Sequence, residues 1–399
     1  MIWIDIDDLM RSLVWSVAPT GIQRVQLELL PKLIETSDQH LGFIRIRHNR
    51  IESVPENRVK RAVAQFNKNR VVGRRDLALL RVRQALRAAA NELRGSGSEP
   101  KFSRGDLILN LGASWEHENY AQAISRLKDK HGVRLAVLIH DLLPLSHSQF
   151  VAQDHVPNFA RWIADLMPIL DLVLTPSEAT REAVIAYCQD HNLPTPPAFA
   201  VRFGDGFETP KQKSSRLDLP SEFVLFVSTV EVRKNHLLLV NVWEKLLQEL
   251  GPDHVPNLVF AGKRGWNIDP LLSKLKETDN LNGKVIHLDS MSDADLAQAY
   301  DRCLFTVFPS FCEGWGLPVS ESLAHGKYCV GSNATSVPEV GEDLIDYFDP
   351  NDEDAAFQAI RRPIVSSSYL VEKTAKVQEE FRHTRWEDTS RTILGYCQE

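Results

Sequence analysis

No stretch of this chain approaches the ~18 consecutive apolar residues that mark a membrane-spanning helix. The amino terminus, Met1-Ile-Trp-Ile-Asp-Ile-Asp-Asp8, has acids where a secretory signal has basic residues, so export is not expected and the expected location is the cytoplasm. Cysteine is scarce: five residues, at 188, 303, 312, 329 and 397, make an odd count with no Cys-x-x-Cys pair. They read as buried thiols in a reducing compartment. Cys312 has no accompanying His or Asn pattern that would make it a nucleophile. No Gly-x-Gly-x-x-Gly follows the first strand of the second half, which argues against a dinucleotide cofactor. The pair Asp5-x-Asp7 has the form of a metal-binding acidic motif, but it alternates with Ile4 and Ile6 at strand spacing. It reads as structural or surface, and no metal is expected.

What is present is an α/β pattern, repeated. The 399 residues, 43% hydrophobic and 25% charged, suffice for two domains with their own cores. In the first half, apolar runs at 2–6, 43–46, 107–111, 135–139 and 172–174 alternate with helix-compatible segments, the first being Val25–Ile34 after a loop. In the second half, runs at 223–227, 258–261, 285–288, 304–307 and 328–330 do the same. Such alternation predicts parallel sheets with helices on their faces and ligands at the carboxyl ends of the strands. Residues 204–222 lose the rhythm and read as the interdomain linker. The expected division is 1–205, 206–375, and a last helical stretch, 376–399.

One segment breaks the pattern. Between Arg58 and Arg94 there are eleven Lys or Arg against Asp76 and Glu92, in a chain of net charge -7. Leu79, Val82, Leu86, Ala89 and Leu93 form one stripe at helical spacing, and Gly95-Ser-Gly-Ser98 follows as a flexible link. Two readings stand: a basic amphipathic helix on an anionic membrane surface, or a helix packed on the amino-terminal domain with a solvated basic edge. Nucleic-acid binding ranks below both, because only Phe66 supplies an interleaved aromatic.

The most informative stretch is Phe308-Pro-Ser-Phe-Cys-Glu313-Gly-Trp-Gly316-Leu-Pro318-Val-Ser-Glu321, a strand, a tight loop and a helix start. Gly314 and Gly316 allow backbone conformations closed to other residues, and Pro318 suits a first helical turn. Free N–H groups there favour an anionic or hydroxyl-rich ligand, and Glu313 and Glu321 add acceptors for sugar hydroxyls. Any βα turn also favours Gly and Pro, so this reading gains from other segments. Arg233 and Lys234, in the loop after the first strand of the second half, suit a diphosphate. His140 stands at the end of the run 135–139, where it either meets a sugar hydroxyl or, with Asp141, caps the next turn. Gly21, with Arg24 nearby, opens a helix where the backbone can approach a phosphate. The turns Gly262–Gly265 and Asp289-Ser290-Met291 either border a nucleotide base or are ordinary connections.

Several of these segments resemble the retaining glycosyltransferases of family four, the glycogen-synthase-like and mannosyltransferase group with the two-domain GT-B fold. Glu313-Gly-Trp-Gly-Leu-Pro-Val-Ser-Glu321 looks like the family's Glu-x7-Glu signature, His140-Asp-Leu-Leu-Pro144 its His-Asp-x-x-Pro motif, and Arg233-Lys234-Asn235 its phosphate loop. Leu174-Thr-Pro-Ser177 and Val337-Pro-Glu339-Val-Gly341 resemble further family segments, and Thr229 stands where the family often has Arg. The resemblance implies two Rossmann-like doubly wound domains facing across a cleft, with the last helix, near Trp386, returning to the first. It implies transfer of a sugar, GDP-mannose being the first choice of donor, to a polysaccharide or lipid-linked oligosaccharide, with no metal. By resemblance, Glu321 holds the donor ribose. Glu313 holds the transferred sugar with backbone groups of Gly314, Trp315, Gly316 and Leu317. His140 lines the sugar site, Arg233 and Lys234 stabilise the leaving diphosphate, Gly21 faces the donor phosphate, and Ser290 and Met291 contact the base. The alternatives are a UDP-linked or other donor, or a non-catalytic GT-B scaffold docked on membrane through 58–94.

Overall fold

The structure, a computed structural model, describes residues 1–15, 21–38, 40–47, 50–69, 98–206, 217–289 and 291–398. They form two compact units. One comprises Met1–Ser148, Gln153–Gly204 and Thr384–Glu399; the other comprises Gln149–Ala152 and Asp205–His383.

In the first unit, the strands are β1 (Ile2–Asp5), β2 (Leu41–Arg47), β3 (Arg50–Ser53), β4 (Leu107–Asn110), β5 (Arg134–Leu138), β6 (Leu172–Thr175) and β7 (Ala198–Ala200). Their order is β3-β2-β1-β4-β5-β6-β7, and all pairs are parallel except β2 with β3. Every residue of β1, β4 and β6 is buried, as expected for strands covered on both faces. Trp3, Ile108, Leu135, Val137, Trp162 and Ile163 belong to the core on one face. The chain's last helix, Trp386–Gln398, is part of this unit. Thr36 Oγ1 and Ser390 Oγ lie 2.8 Å apart, Lys32 pairs with Glu387 at 2.6 Å, and Thr389 Oγ1 donates to the Arg202 carbonyl at 2.9 Å.

The second unit contains β8 (Phe223–Val227), β9 (Asn257–Ala261), β10 (Val285–Leu288), β11 (Thr306–Phe308), β12 (Cys329–Ser332) and β13 (Asp346–Phe348). Their order, β10-β9-β8-β11-β12-β13, is the doubly wound Rossmann order, and all pairs are parallel. The order reverses between β8 and β11. At such a reversal, outside the carboxyl ends of the strands, lies the crevice in which open α/β sheets bind ligands. Gln149–Ala152 joins this unit through Phe150, whose ring stacks on Phe311 at 4.6 Å and whose carbonyl accepts from Trp266 Nε1 at 3.3 Å.

Several elements differ from the sequence reading. A helix, Asp7–Trp15, occupies what reads as loop, and the next helix begins at Gly21. Edge strands β3, β7 and β13 were not expected; each has three or four residues and is at least partly exposed, so no buried apolar run announces it. Of residues 204–222, read as linker, 207–216 lie outside the described residues, while Leu219 is buried on the second core with Phe223 and Leu225. Residues 376–383, read with the last helix, complete the helix Ser367–Glu380 and its following turn in the second unit. In the basic segment, the helix Glu56–Asn69 buries Val59, Ala62 and Val63 and exposes Arg58, Lys60 and Arg61. The stripe 79–93 lies outside the described residues. Among the described residues, no helix is long and apolar enough to cross a membrane. All five cysteines are buried thiols.

Asp5 and Asp7 are structural and buried, not surface groups. Asp5 accepts from the Asp7 backbone N–H at 3.0 Å and from Asn110 Nδ2 at 3.1 Å. Asp7 is held by Arg45 at 2.9 Å and Arg11 at 3.0 Å, and Asp8 by Gln26 Nε2 at 2.6 Å and the Ala113 N–H at 3.1 Å. Gly112 makes this packing possible, because a Cβ there would lie 2.7 Å from Asp8 Oδ2 and from Gln26 Nε2. Burial, reinforced by the Asp7 charge, raises the Asp5 carboxyl to about 6 from an ordinary 3.8. Between those values the folded chain keeps a proton that the unfolded chain has released, so this group makes stability fall as pH rises from about 4 to about 6. In thermal melts across that window, Asp5→Asn is expected to remove this component of the slope, whatever its effect on the absolute Tm.

Candidate active site

The two loops that leave β8 and β11 are tied together at the reversal of strand order. After β8, the chain runs through Glu231 into a 3-10 turn, Val232–Lys234, then reverses at Asn235 in a left-handed conformation (φ 58°) to start the helix His236–Leu250. After β11, it passes Glu313 to Gly316, whose φ of 118° is open to glycine and strained for other residues, and enters the helix Leu317–Ala324. The Phe311 N–H donates to the Arg233 carbonyl at 2.9 Å. Side chains complete the join: Lys234 Nζ lies 2.5 Å from Glu313 Oε1, and Arg233 Nη1 is 2.9 Å from Glu313 Oε2 and 2.8 Å from the Cys312 carbonyl. The other side of the Arg233 fork pairs with Glu231 at 2.8 Å.

Two cations and two carboxylates are thus gathered in a nearly dry setting. Glu313 and Lys234 are each only 8% exposed. Burial alone would raise the Glu313 carboxyl, but the Arg233 and Lys234 charges overcome it and hold the group at about 2. Its ion-pair stabilisation is therefore present above about pH 4.5 and is lost as pH falls toward 2. Burial, with Arg233 adjacent, lowers the Lys234 ammonium, while Glu313 and Glu231 resist the shift. Burial raises Glu231 against the pull of Arg233. Next to this cluster, burial and the Lys234 charge depress His236 to about 3, so it stays neutral, with Nε2 3.3 Å from Ser228 Oγ.

Three groups that the sequence reading missed hold the two glutamates, two through the Glu313 backbone and one through the Glu321 carboxylate. Thr335 Oγ1 accepts from the Glu313 N–H at 2.8 Å and donates to the Glu313 carbonyl at 2.8 Å. Ser336 Oγ donates to the carbonyls of Glu313 at 3.0 Å and Trp315 at 2.7 Å. Thr335 does this at φ 47°, a costly conformation for a β-branched residue, of the kind that concentrates at functional sites. The third group is Tyr300, whose hydroxyl donates to Glu321 Oε2 at 2.7 Å. Only their position just before Val337-Pro-Glu339 could have pointed to Thr335 and Ser336, and nothing in the sequence singles out Tyr300.

The remaining candidates are placed as follows. Glu321, 3% exposed, lies on the helix Leu317–Ala324 and bonds to Tyr300. Trp315 is buried, and Gly314 and Leu317 are partly exposed. Met291 packs on the second core beside Leu288 and Leu296, while Ser290 lies outside the described residues. In the first unit, His140 follows β5. Its Nε2 lies 2.9 Å from the Leu111 carbonyl, so this nitrogen carries the proton, leaving Nδ1 as the acceptor of the neutral ring. Burial lowers its pKa, partly offset by that bond. Ser177 caps the helix Glu178–Asp190 by accepting from the Thr180 N–H at 3.1 Å. Gly21 opens its helix with no atom of the described residues within 4 Å of where a Cβ would stand, so their packing does not require glycine there.

The second unit coincides with a recognised family: residues 207–380 match the family described as Glycosyl transferases group 1. The chain is a glycosyltransferase. Residues 88–187 match a second family, described as Glucosyltransferase 3-like, N-terminal domain. Among curated relatives, the glycosyltransferase is 27% identical over 278 residues to O-antigen chain mannosyltransferase B of Escherichia coli, covering 66% of this chain and 70% of that one. It is 29% identical over 206 residues to the serotype-specific mannosyltransferase WbdA of the same organism, covering 48% of this chain but only 25% of WbdA. Among solved structures, sucrose-phosphate synthase from Thermosynechococcus elongatus matches with a TM-score of 0.63 and 15% identity, covering 100% of this chain and 98% of that one. At that identity the likeness concerns fold alone. The fold is GT-B, built from two Rossmann-like units.

Thr335→Val keeps the shape of the side chain but breaks both bonds to the Glu313 backbone. These bonds are part-buried, and each contributes on the order of 0.5–1.5 kcal/mol. The variant is expected to transfer sugar about tenfold more slowly or worse, and Thr335→Ser, which keeps the hydroxyl, to stay near wild type in the same steady-state assay.

Proposed function

We propose that the chain is a retaining mannosyltransferase of family four that moves mannose from GDP-mannose to a cell-surface polysaccharide or lipid-linked oligosaccharide. The observation that carries this reading is the Arg233–Lys234–Glu313 cluster at the reversal of strand order. There a cationic pair meets a carboxylate beside a helix start, the chemistry that a nucleotide diphosphate and its sugar require. The mannosyltransferase names of the Escherichia coli relatives support the choice of sugar.

In this reading Glu313 holds Arg233 and Lys234 in place before the donor arrives, then turns its oxygens to hydroxyls of the transferred sugar. Backbone groups of Gly314 through Leu317 assist it. Glu321, fixed by Tyr300, accepts from the donor ribose. Gly21 offers its helix start to a phosphate, and the turn with Ser290 and Met291 borders the base. His140 presents Nδ1 to a sugar hydroxyl. As the bond from the anomeric carbon to the diphosphate breaks, charge grows on the leaving oxygens, and Arg233 and Lys234 stabilise it. The acceptor oxygen bonds to the anomeric carbon on the face the diphosphate leaves, and its proton passes to a phosphate oxygen. With two cations assigned to that charge, the reaction needs no divalent metal. The basic edge carrying Arg58, Lys60 and Arg61 suits an anionic membrane surface, where a lipid-linked acceptor would be found.

A second reading, a glucosyltransferase with a UDP-linked donor, is favoured by the match of residues 88–187 to a glucosyltransferase-like family. Calorimetric titration with GDP, UDP, dTDP and ADP in the presence of EDTA separates the two. GDP is expected to bind selectively, and Lys234→Ala and Glu321→Ala to weaken it at least tenfold. Selective UDP binding would replace the mannose reading with the glucose one, and nucleotide binding that requires a divalent ion would overturn the metal-independent scheme.

A further inference from the structure

Four residues of the second unit come from outside its main segment: Gln149–Ala152 belong to it, while Met1–Ser148 and Gln153–Gly204 on either side belong to the first. Gln153 Nε2 donates to the Ser148 carbonyl at 2.7 Å, which pins the base of this excursion and makes the four residues between a short finger. The 3-10 turn Ser148–Phe150 leads into it. Exposed loop tips ordinarily carry small or polar residues, yet Phe150 is large, apolar and half-buried. Its ring and its carbonyl both find partners in the second unit.

Those partners are the loops that frame the Arg233–Lys234–Glu313 cluster. The Phe150 ring lies flat on that of Phe311, with centroids 4.6 Å and planes 4° apart. Phe311 stands in the loop after β11, two residues before Glu313, and its N–H donates to the Arg233 carbonyl at 2.9 Å. The Phe150 carbonyl accepts from Trp266 Nε1, in the loop after β9, at 3.3 Å. The Trp266 carbonyl in turn accepts from the N–H of Val232, the residue before Arg233, at 3.4 Å. The contacts form a closed circuit: from Phe150 to Phe311, to Arg233 and its neighbour Val232, to Trp266, and back to Phe150. It passes through the loops after β8, β9 and β11, and the finger is the piece that closes it.

Two links of that circuit, those made by Trp266, are long hydrogen bonds and weak alone. Closure adds to them, because joints that are already set leave less freedom to lose at the last one. Removing the Phe150 ring opens the circuit at the joint nearest Glu313. Charged groups that meet a reacting substrate need supports that hold them to within about 0.5 Å, and here the support is apolar and flat. We infer that Phe150 is a positioning residue: by stacking on Phe311 it holds the loop that carries Glu313 against the loop that carries Arg233 and Lys234, so that the cluster keeps one geometry for the sugar donor. The nucleotide diphosphate as the cluster's ligand rests on the proposed function; the ordering of the loops does not.

The test pairs amide hydrogen exchange of the full chain with calorimetric titration of GDP and UDP. Phe150→Ala is expected to speed exchange several-fold in peptides covering 309–316 and 262–268 and to leave those covering β8 and β12 unchanged. It is also expected to weaken the nucleotide that the wild-type chain binds by about three- to tenfold, the scale of one aromatic stack. Phe150→Tyr, which keeps a flat ring, should match wild type in both readouts, and Phe150→Leu, apolar without a ring, should resemble Phe150→Ala. Phe311→Leu breaks the same stack from the other side, so the Phe150→Leu, Phe311→Leu double variant is expected to be little worse than either single one. Unchanged exchange in Phe150→Ala, faster exchange with nucleotide affinity intact, or additive losses in the double variant each overturn the positioning role. A wild-type chain that binds neither nucleotide overturns the donor assignment instead, and the exchange comparison then decides the role of Phe150 alone.

Discussion

The carboxylate of Glu313, shared between Lys234 and Arg233, is the interaction that holds together the two loops at the reversal of the second sheet. It is a buried charge whose removal would take the carboxylate from Lys234 and leave Arg233 with Glu231 in a poorly hydrated place. It joins loops from two strands that meet only at the reversal of sheet order, and so fixes the mouth of the crevice. Under the proposed function it prepares the site for a ligand: an ion pair already desolvated and oriented loses little by exchanging one carboxylate oxygen for a phosphate or a hydroxyl. Around it, neutral groups carry the geometry. Thr335 and Ser336 grip the Glu313 backbone, and His236, held uncharged by burial and by Lys234, packs between Phe226 and Phe260 without adding charge to a crowded cluster.

The central strands and the motif loops were legible in the sequence, for one physical reason. Strands buried on both faces are largely apolar, and a left-handed turn into a helix calls for glycine, so β1, β4, β8 and Glu313-Gly-Trp-Gly316 announce themselves. What failed to show were elements whose burial is one-sided or whose role is to support. The short edges β3, β7 and β13 bury too little to impose a pattern. The helix Asp7–Trp15 begins on two aspartates that look like loop, yet acids are what a helix start favours. Thr335, Ser336 and Tyr300 act through hydroxyls, and a hydroxyl in a sequence has no spacing rule that marks it as a clamp.

Asp5-x-Asp7 shows the same limit from the other side. Its residues are those of a metal motif, but the fold surrounds them with the Asn110 amide, the Arg45 and Arg11 guanidiniums and a backbone N–H, and so uses their oxygens to fasten the ends of β1 and β4. Residue type set the candidates, and only the partners decided between ligand and fastener.

The placement of the helix Trp386–Gln398 in the first unit has a consequence for biosynthesis. The β strands of that unit are made early, but the helix that packs on Gly21–Thr36, and on which Phe203 and Gly204 close through Trp386, is made after the second unit. The second unit, continuous from Asp205 to His383 apart from four residues, is synthesised in between. Until that helix has been made, the surface of the first unit that it covers has no partner from its own chain. The first unit, although its strands are made first, is therefore completed only after the segment that forms the second.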